Sequence, residues 1–379
     1  MSAVAYYAGV ALLGLSVVGA GYAAVASWAT RRFLRRPPAP VQDAPSVTIL
    51  RPMKGAEPQF DANLESLCAQ DYPGAVQIIL GTDSARDPAY VAAAQLVAAH
   101  PDRDIVLMAD PLQHGANRKL SNLINMSARA TGDILVISDS DVRLPQAGLS
   151  ALVGALQQPG VGLVYGLYRG RPAGNLWSRL AALDINARFA ANVVVGQALG
   201  AHPVLGPTMG VRAATLKAAG GFERLKDVLA DDFELGRMVR GQGLSIASPP
   251  LLIDHVFPER TLGELWRHEL RWARTIRLLN PGGYIGSVVT YSLPLGIVGA
   301  LLTGPSAWAV EVLAVVVVMR MLECWEQCRA LKADKSAIWL FPLRDVLAFA
   351  VFLAAFVGDG VEWRGNRLRV KADGAMASR

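Results

Sequence analysis

The chain has 379 residues, 52% of them hydrophobic and only 18% charged, with a mean hydropathy of +0.30. That is long enough for one large α/β domain with membrane segments and too apolar for a disordered protein. A net charge of +6 and a pI near 9.3 could suggest nucleic acid, but many Arg and Lys residues stand beside apolar segments, where an anionic cytoplasmic leaflet accounts for them, and nucleic-acid binding is discounted.

Residues 3–29 carry no charge, have Tyr6, Tyr7 and Trp28 near their ends, and are long enough to cross a hydrocarbon core of roughly 30 Å. Arg31, Arg32, Arg35 and Arg36 follow this run instead of preceding it, which argues for an uncleaved anchor with its N-terminus outside and the next domain in the cytoplasm. A stiff Pro-rich linker comes next. Short β-branched runs then alternate with helical stretches: Val47-Thr48-Ile49-Leu50, Gln77-Ile78-Ile79-Leu80, Ile105-Val106-Leu107-Met108 and Ile134-Leu135-Val136-Ile137. Strand then helix, repeated, predicts a parallel sheet, in which ligands bind beyond the carboxyl ends of the strands. Polar residues gather there: Lys54, Asp83, and the pair Asp139 and Asp141. Neither a dinucleotide fingerprint nor a P-loop is present.

Two carboxylates one residue apart at a strand end can share a hard cation with a diphosphate, or can form a polar, solvated turn. Lys119, opening the preceding helix, can meet a phosphate or cap a solvated basic end. Residues 176–199 read as a mostly apolar helix, and residues 204–211 as an irregular strand or loop near the site. Asp231 and Asp232 start a helix, either as an acidic first turn or with one of them as a general base. Thr261-Leu262-Gly263-Glu264 is a capping box. The helix it opens carries His268 and Trp272 and sets Arg267, Arg271 and Arg274 on one face, suited to phosphate or to anionic lipid. Residues 285–302 and 307–319 read as a membrane hairpin turning at Gly304-Pro305 and returning at Arg320. Residues 338–357, holding Arg344 and Asp345, read as shallow or re-entrant, because a crossing would leave Arg364, Arg367, Arg369 and Lys371 outside. Of the three cysteines, Cys324 and Cys328 lack the further ligands of a zinc site.

In this order the pieces resemble the ceramide glucosyltransferase family, a membrane-bound branch of the inverting glycosyltransferases, together with its bacterial relatives in hopanoid biosynthesis. The resemblance is carried by Leu50-Arg51-Pro52-Met53-Lys54-Gly55, by Asp83 before Asp87-Pro88, by Asn117-Arg118-Lys119 with Asn122, by Ser138-Asp139-Ser140-Asp141, by Ala230-Asp231-Asp232-Phe233 and by His268-Glu269-Leu270-Arg271-Trp272. It implies a Rossmann-like GT-A domain of the α/β class with an N-terminal transmembrane helix and C-terminal membrane helices. The implied segments are an anchor at 1–30, a basic Pro-rich linker at 31–45, a cytosolic catalytic domain at 46–260, an amphipathic helix at 261–284, membrane segments at 285–358 and a basic tail at 359–379. It also implies that Asp83 contacts uridine, that Asp139 and Asp141 serve the diphosphate and its Mg²⁺ or Mn²⁺, and that Asp232 is the base. Arg271 and Trp272 fit the family's Gln/Arg-x-x-Arg-Trp motif, whose first place is taken here by His268. Asp141 stands where the animal ceramide enzymes have Gly and restores a full Asp-x-Asp.

The expectation is an integral protein of a bacterial inner membrane, with its catalytic domain in the cytoplasm, that moves a sugar from a UDP-sugar to a lipid. UDP-glucose and ceramide are the leading pair; UDP-N-acetylglucosamine and a hopanoid are the alternative, and a catalytically silent lipid-binding scaffold is the alternative of another class. A processive polysaccharide synthase is disfavoured because too few membrane segments remain for a channel.

Overall fold

The computed structural model describes residues 2–304, 306–358, 360–363, 366–370 and 376–378, with side chains described as far as residue 360. Pro305 of the expected turn and Arg364 and Lys371 of the basic tail lie outside the described residues, as do the side chains of Arg367 and Arg369.

The first helix, α1 (Ala3–Leu34), leads into the sheet. The four β-branched runs form strands β1 (Val47–Pro52), β2 (Val76–Thr82), β3 (Asp104–Ala109) and β4 (Ile134–Ser138), with α2 (Phe60–Cys68), α3 (Pro88–Ala99) and α4 (Arg118–Ser127) between them. All four strands are parallel, β1 lying between β2 and β4. The two chain directions away from β1 leave a crevice at the carboxyl ends of β1 and β4.

Only three residues separate β4 from β5 (Val142–Arg143), too few for the crossover of a dozen or more that a parallel partner requires. The chain therefore turns out of the main sheet at Asp139–Asp141. There follow α5 (Gly148–Leu156), β6 (Val161–Tyr165), β7 (Leu167–Pro172), α6 (Leu176–Asp184), a π-helical turn (Ile185–Phe189) and α7 (Ala190–Ala198). The expected irregular stretch at 204–211 is in part a regular buried strand, β8 (Thr208–Arg212), antiparallel to both β4 and β6. The sheet is thus mixed, in the order β3-β2-β1-β4-β8-β6-β9 once α8 (Ala213–Ala218), α9 (Asp231–Arg240) and β9 (Ser245–Ala247) are added. Strand β10 (Leu252–Phe257) joins β5 and β7 in a second sheet and sets His255 opposite Val142.

Helix α10 (Leu262–Leu279) starts at Thr261, whose Oγ1 accepts from the Glu264 N–H (3.2 Å); Glu264 reaches back to the Arg260 N–H (2.7 Å), one residue further than a capping box would place it. Beyond it lie α11 (Pro281–Gly286), a 3₁₀ turn (Ser287–Thr290), α12 (Ser292–Thr303), α13 (Ala307–Ala330) and α14 (Phe341–Ala354). Among the described residues α1 alone is a single helix long and apolar enough to cross a membrane; residues 281–290 and α12 qualify only as a pair bent by 68°. Helix α13 continues past Arg320, where the return was expected. Helix α14, at 14 residues, spans only about 21 Å. Its Arg344 donates to Glu269 Oε1 (2.6 Å) and lies 3.4 Å from Asp184 Oδ2, so both charged residues of the apolar segment are buried in protein. The tail forms a small antiparallel sheet of β11 (Gly360–Trp363), β12 (Asn366–Val370) and β13 (Met376–Ser378), which the sequence reading did not anticipate.

Small residues let α1 and α12 approach closely. A Cβ added at Gly9 would stand 2.8 Å from the Gly299 carbonyl, and one at Gly19 only 2.2 Å from the Val289 carbonyl. Backbone cannot yield as a side chain can, so Gly19→Val is expected to destabilise the protein by about 1–3 kcal/mol, the scale of overpacking. Gly14→Val, which meets nothing within 4 Å, is the control. Equal thermal midpoints for the two variants in detergent would show that the packing of α1 against the 3₁₀ turn and the start of α12 is not rigid.

Candidate active site

Arg51, fully buried on β1, lies beneath the turn that follows β4. Its guanidinium donates to the Val142 carbonyl (3.1 and 3.2 Å) and to Ser138 Oγ (2.9 Å), so the Asp139–Asp141 turn is wrapped around a cation. Burial lowers the Arg51 pKa to about 10 against the pull of Asp141, Asp139 and Glu57, which still leaves it charged at neutral pH.

Above that support, Lys119 Nζ lies 2.8 Å from Asp139 Oδ1 and 3.2 Å from Asp231 Oδ2. Asn117 caps α4 and donates to the Val228 carbonyl (2.8 Å), which fixes the helix start that aims Lys119. Burial raises the Asp139 pKa, with Lys119 opposing and Asp141 adding to it. Asp141 is shifted the other way: burial works against its charge, but His255 and Lys119 outweigh burial and hold it below the usual carboxylate value. Its Oδ2 stands 3.1 Å from His255 Nε2. Asp141 Oδ1 and His255 Nδ1 are both buried without a partner among the described residues. Sequence reasoning missed His255, which reaches the turn only through the pairing of β10 with β5.

Asp83 is bonded by Lys54 through both oxygens (2.7 and 2.9 Å) at the solvent edge. Half-buried Asp232, the second residue of α9, accepts from the Phe233 N–H (2.8 Å) and the Gly206 N–H (3.0 Å). Burial and the neighbouring Asp231 push its pKa up to about 6, despite those bonds.

On α10, His268 Nδ1 meets Glu259 Oε1 at 2.5 Å, and its ring stands edge-on to Trp272 at 4.5 Å. Burial, helped by Arg271, lowers the His268 pKa despite Glu259, so the ring is neutral near pH 7 with Nδ1–H donating. The departure from Gln or Arg thus puts a neutral group in the motif's first place. Arg267 and Arg271 line the site, but Arg274 does not join them: its guanidinium donates to the carbonyls of Val357 (2.6 Å) and Gly360.

One cleft of about 1360 Å³ is lined by Asp83, Lys119, Asp139, Asp141, Asp232, His268, Arg271 and Trp272 together. Among the described residues no three His, Cys, Asp or Glu side chains converge as a closed metal site. A hard cation at Asp141 would take its remaining ligands from a substrate's phosphates and water, as Mg²⁺ commonly does.

The architecture is that of the GT-A glycosyltransferases. Its topology is shared with the mannosyltransferase of Pyrobaculum calidifontis, solved with GDP-Man and Mn²⁺, at a TM-score of 0.54 and 20% identity over 92% of this chain and 99% of that one. The family model for glycosyl transferase family 21 matches residues 11–376, and the chain belongs to that family. It is 35% identical over 133 residues to the ceramide glucosyltransferase of Komagataella phaffii, covering 34% of this chain and 26% of the relative. Against ceramide glucosyltransferase 1 of Caenorhabditis elegans it is 21% identical over 204 residues, covering 54% and 44%. The matches therefore span less than half the length of these relatives.

Replacing Arg51 by Met removes the cation under the turn while leaving its carbonyl partners buried. The expected cost is about 3 kcal/mol or more, the scale of breaking a buried charged cluster. It should appear as a thermal midpoint several degrees lower in detergent; an unchanged midpoint would mean that the turn holds without its cation.

Proposed function

We propose that the chain is an inverting glycosyltransferase that moves glucose from UDP-glucose to the hydroxyl of a lipid, ceramide, at the cytosolic face of a membrane. One observation carries the reading. Asp232, a carboxylate whose pKa is pushed up to about 6, lines the same cleft as the Asp139–Asp141 turn and Arg271. The names of the curated relatives support glucose as the sugar and ceramide as the acceptor.

An alcohol is a poor nucleophile. Asp232 removes its proton as the oxygen attacks the anomeric carbon; the carbon–oxygen bond to the diphosphate breaks with its electron pair, and an α-linked donor yields a β-glycoside. A base with a pKa near 6 is ionised at neutral pH yet still accepts a proton readily. Asp231, the nearest other carboxylate, is engaged by Lys119, which favours single displacement over a covalent intermediate. Arg271 and Lys119 meet the departing negative charge, and Asp83, bonded to Lys54, meets the uridine; their sharing of one cleft supports these roles.

Asp141 and His255, with Asp139 beside them, would hold Mg²⁺ or Mn²⁺. Asp141 Oδ1, buried and without a partner among the described residues, fits a cation, which when bound would neutralise the diphosphate. The apolar helix α1, followed by Arg31, Arg32, Arg35 and Arg36, supports membrane anchoring with the domain on the cytoplasmic side.

Purified protein in detergent with Mn²⁺, UDP-sugars and a lipid extract is expected to form hexosylceramide by mass spectrometry. N-acetylhexosaminyl hopanoid would redirect the assignment, and no product from any pair would revive the silent scaffold. Asp232→Asn is expected to keep UDP binding and to lose at least about a hundredfold in turnover. In the wild type, kcat/KM should be flat above about pH 6 and fall tenfold per unit below it, because the base must be unprotonated. His255→Ala should weaken UDP binding by calorimetry with Mn²⁺ present and leave it unchanged in chelator; equal loss in both would make the imidazole structural.

A further inference from the structure

The cleft is larger than the roughly 300–1,000 Å³ that one small ligand fills, and its lining holds both charged and apolar side chains. Asp83, Lys119, Asp139 and Asp141, from the strand ends and α4, line it with Arg271; Phe189 and Val193, from the π-helical turn and α7, line it with Leu205 and with Ile276 and Leu279 of the last turns of α10. Asp232 borders the apolar residues as well as the charged ones, because its carboxylate is held by Gly206, the residue after Leu205. The charged residues suit a sugar nucleotide, and the apolar ones are left for a second, greasy ligand.

The apolar walls are two helical elements. The π-helical turn and α7 supply Phe189 and Val193; α10 supplies Trp272, Ile276 and Leu279. Each wall is tied to the membrane helices. The Tyr22 hydroxyl of α1 donates to Asn192 Oδ1 of α7 (3.0 Å). Helix α10 runs through Asn280 into α11 and the bent pair, whose Val289 lies against Gly19 of α1. Gly19 and Tyr22 stand on the bilayer side of Trp28 and the arginines after it; six residues of helix put Tyr22 roughly 9 Å deeper than Trp28. That matches the 5–10 Å depth at which interfacial helices lie. On α10, at the end of α7 and on α11, apolar side chains are turned outward: Leu199 is 81% exposed, Ile285 57% and Ile276 44%. Water would disfavour such a rim, and acyl chains would not.

We infer that the gap between α7 and α10 is a lateral portal, through which the alkyl part of the acceptor lipid enters from the cytoplasmic leaflet while its hydroxyl comes up to Asp232. The inference rests on the glycosyl-transfer reading for the identity of that hydroxyl. The occupant is an amphiphile with a small hydroxylated head: the apolar lining needs chains, and Asp232 needs an alcohol.

The test keeps binding and turnover apart. Full-length protein in nanodiscs is irradiated with a ceramide carrying a diazirine in its acyl chain, and the labelled peptides are mapped by mass spectrometry. Label is expected in residues 189–199 and 272–280, displaced by excess unlabelled ceramide and not by phosphatidylcholine. Label on the outward faces of α1 and α13 is expected to resist both competitors. Label confined to those faces, or portal label displaced equally by phosphatidylcholine, would overturn the portal, the second outcome marking a resident phospholipid instead. In parallel, Ile276→Trp, at a half-exposed site that tolerates bulk, should lower the ratio of kcat/KM for long-chain over short-chain ceramide at least tenfold; an unchanged ratio counts against the portal. Absence of any transfer with correct portal labelling would instead strike the enzymatic reading.

Discussion

A carboxylate-lined turn at the end of a buried strand can exist only if something beneath it balances its charge. Arg51 is that support. It sits inside the sheet, bonded to the carbonyl and hydroxyl oxygens of the turn residues, and Lys119 and His255 complete the balance from either side. Four carboxylates, Asp139, Asp141, Asp231 and Asp232, are thereby gathered around one cleft without each needing its own solvent. Their pKa values diverge accordingly: Asp141 is held down by His255, while Asp232 is pushed up by burial beside Asp231. A cation-seeking group and a proton-accepting group are made from the same side chain by different neighbours.

The second constraint is the placement of α10. Its inward face carries His268, Arg271 and Trp272, and Glu269 between them is bonded to Arg344 of α14. Arg344 also reaches Asp184, and Asp184 holds Arg188, which in turn donates to the Tyr291 hydroxyl (2.9 Å). The helix that closes the cleft is therefore tied to α14 and to the start of α12 by a buried chain of ion pairs and a hydrogen bond. Removing one member would leave another charge buried and unpaired, which is costly. The π-helical turn at Ile185–Phe189 lies between the two systems: Arg188 belongs to the ion pairs, while Phe189 stacks on Tyr168 at the cleft wall (5.3 Å).

How much of this could be read from the residues alone follows from what each assignment depended on. The four parallel strands were legible because β-branched runs bounded by helical stretches have few other solutions, and polar residues at their carboxyl ends mark where a ligand can sit. His255 was not legible. Its role depends on the register of β10 against β5, more than a hundred residues apart, and nothing local to Asp254-His255-Val256 announces it. Arg51 stood in the quoted motif, but a buried arginine on a strand has no local signature. Arg274 was misplaced for the opposite reason: its spacing from Arg267 is correct for a shared face, yet a long side chain follows the nearest carbonyls, here those of Val357 and Gly360. Arg344 and Asp345 read as an awkward interruption of an apolar segment until their partners were in view. The short tail strands are decided by pairing with one another, which local pattern does not reveal.

The close approach of α1 to α12 has a consequence for how the protein is made. Gly9 and Gly299 touch, yet roughly 290 residues separate them along the chain. At translation rates of about 5–20 residues per second, the first helix waits on the order of tens of seconds before its partner is made. During that interval the glycines of α1 have no helix against them. The sheet domain can fold in the meantime, since its strands are complete well before α12 is synthesised. The docking of α12 is then the joining of a late helix to an early one, and α13, made later still, packs against α1 as well.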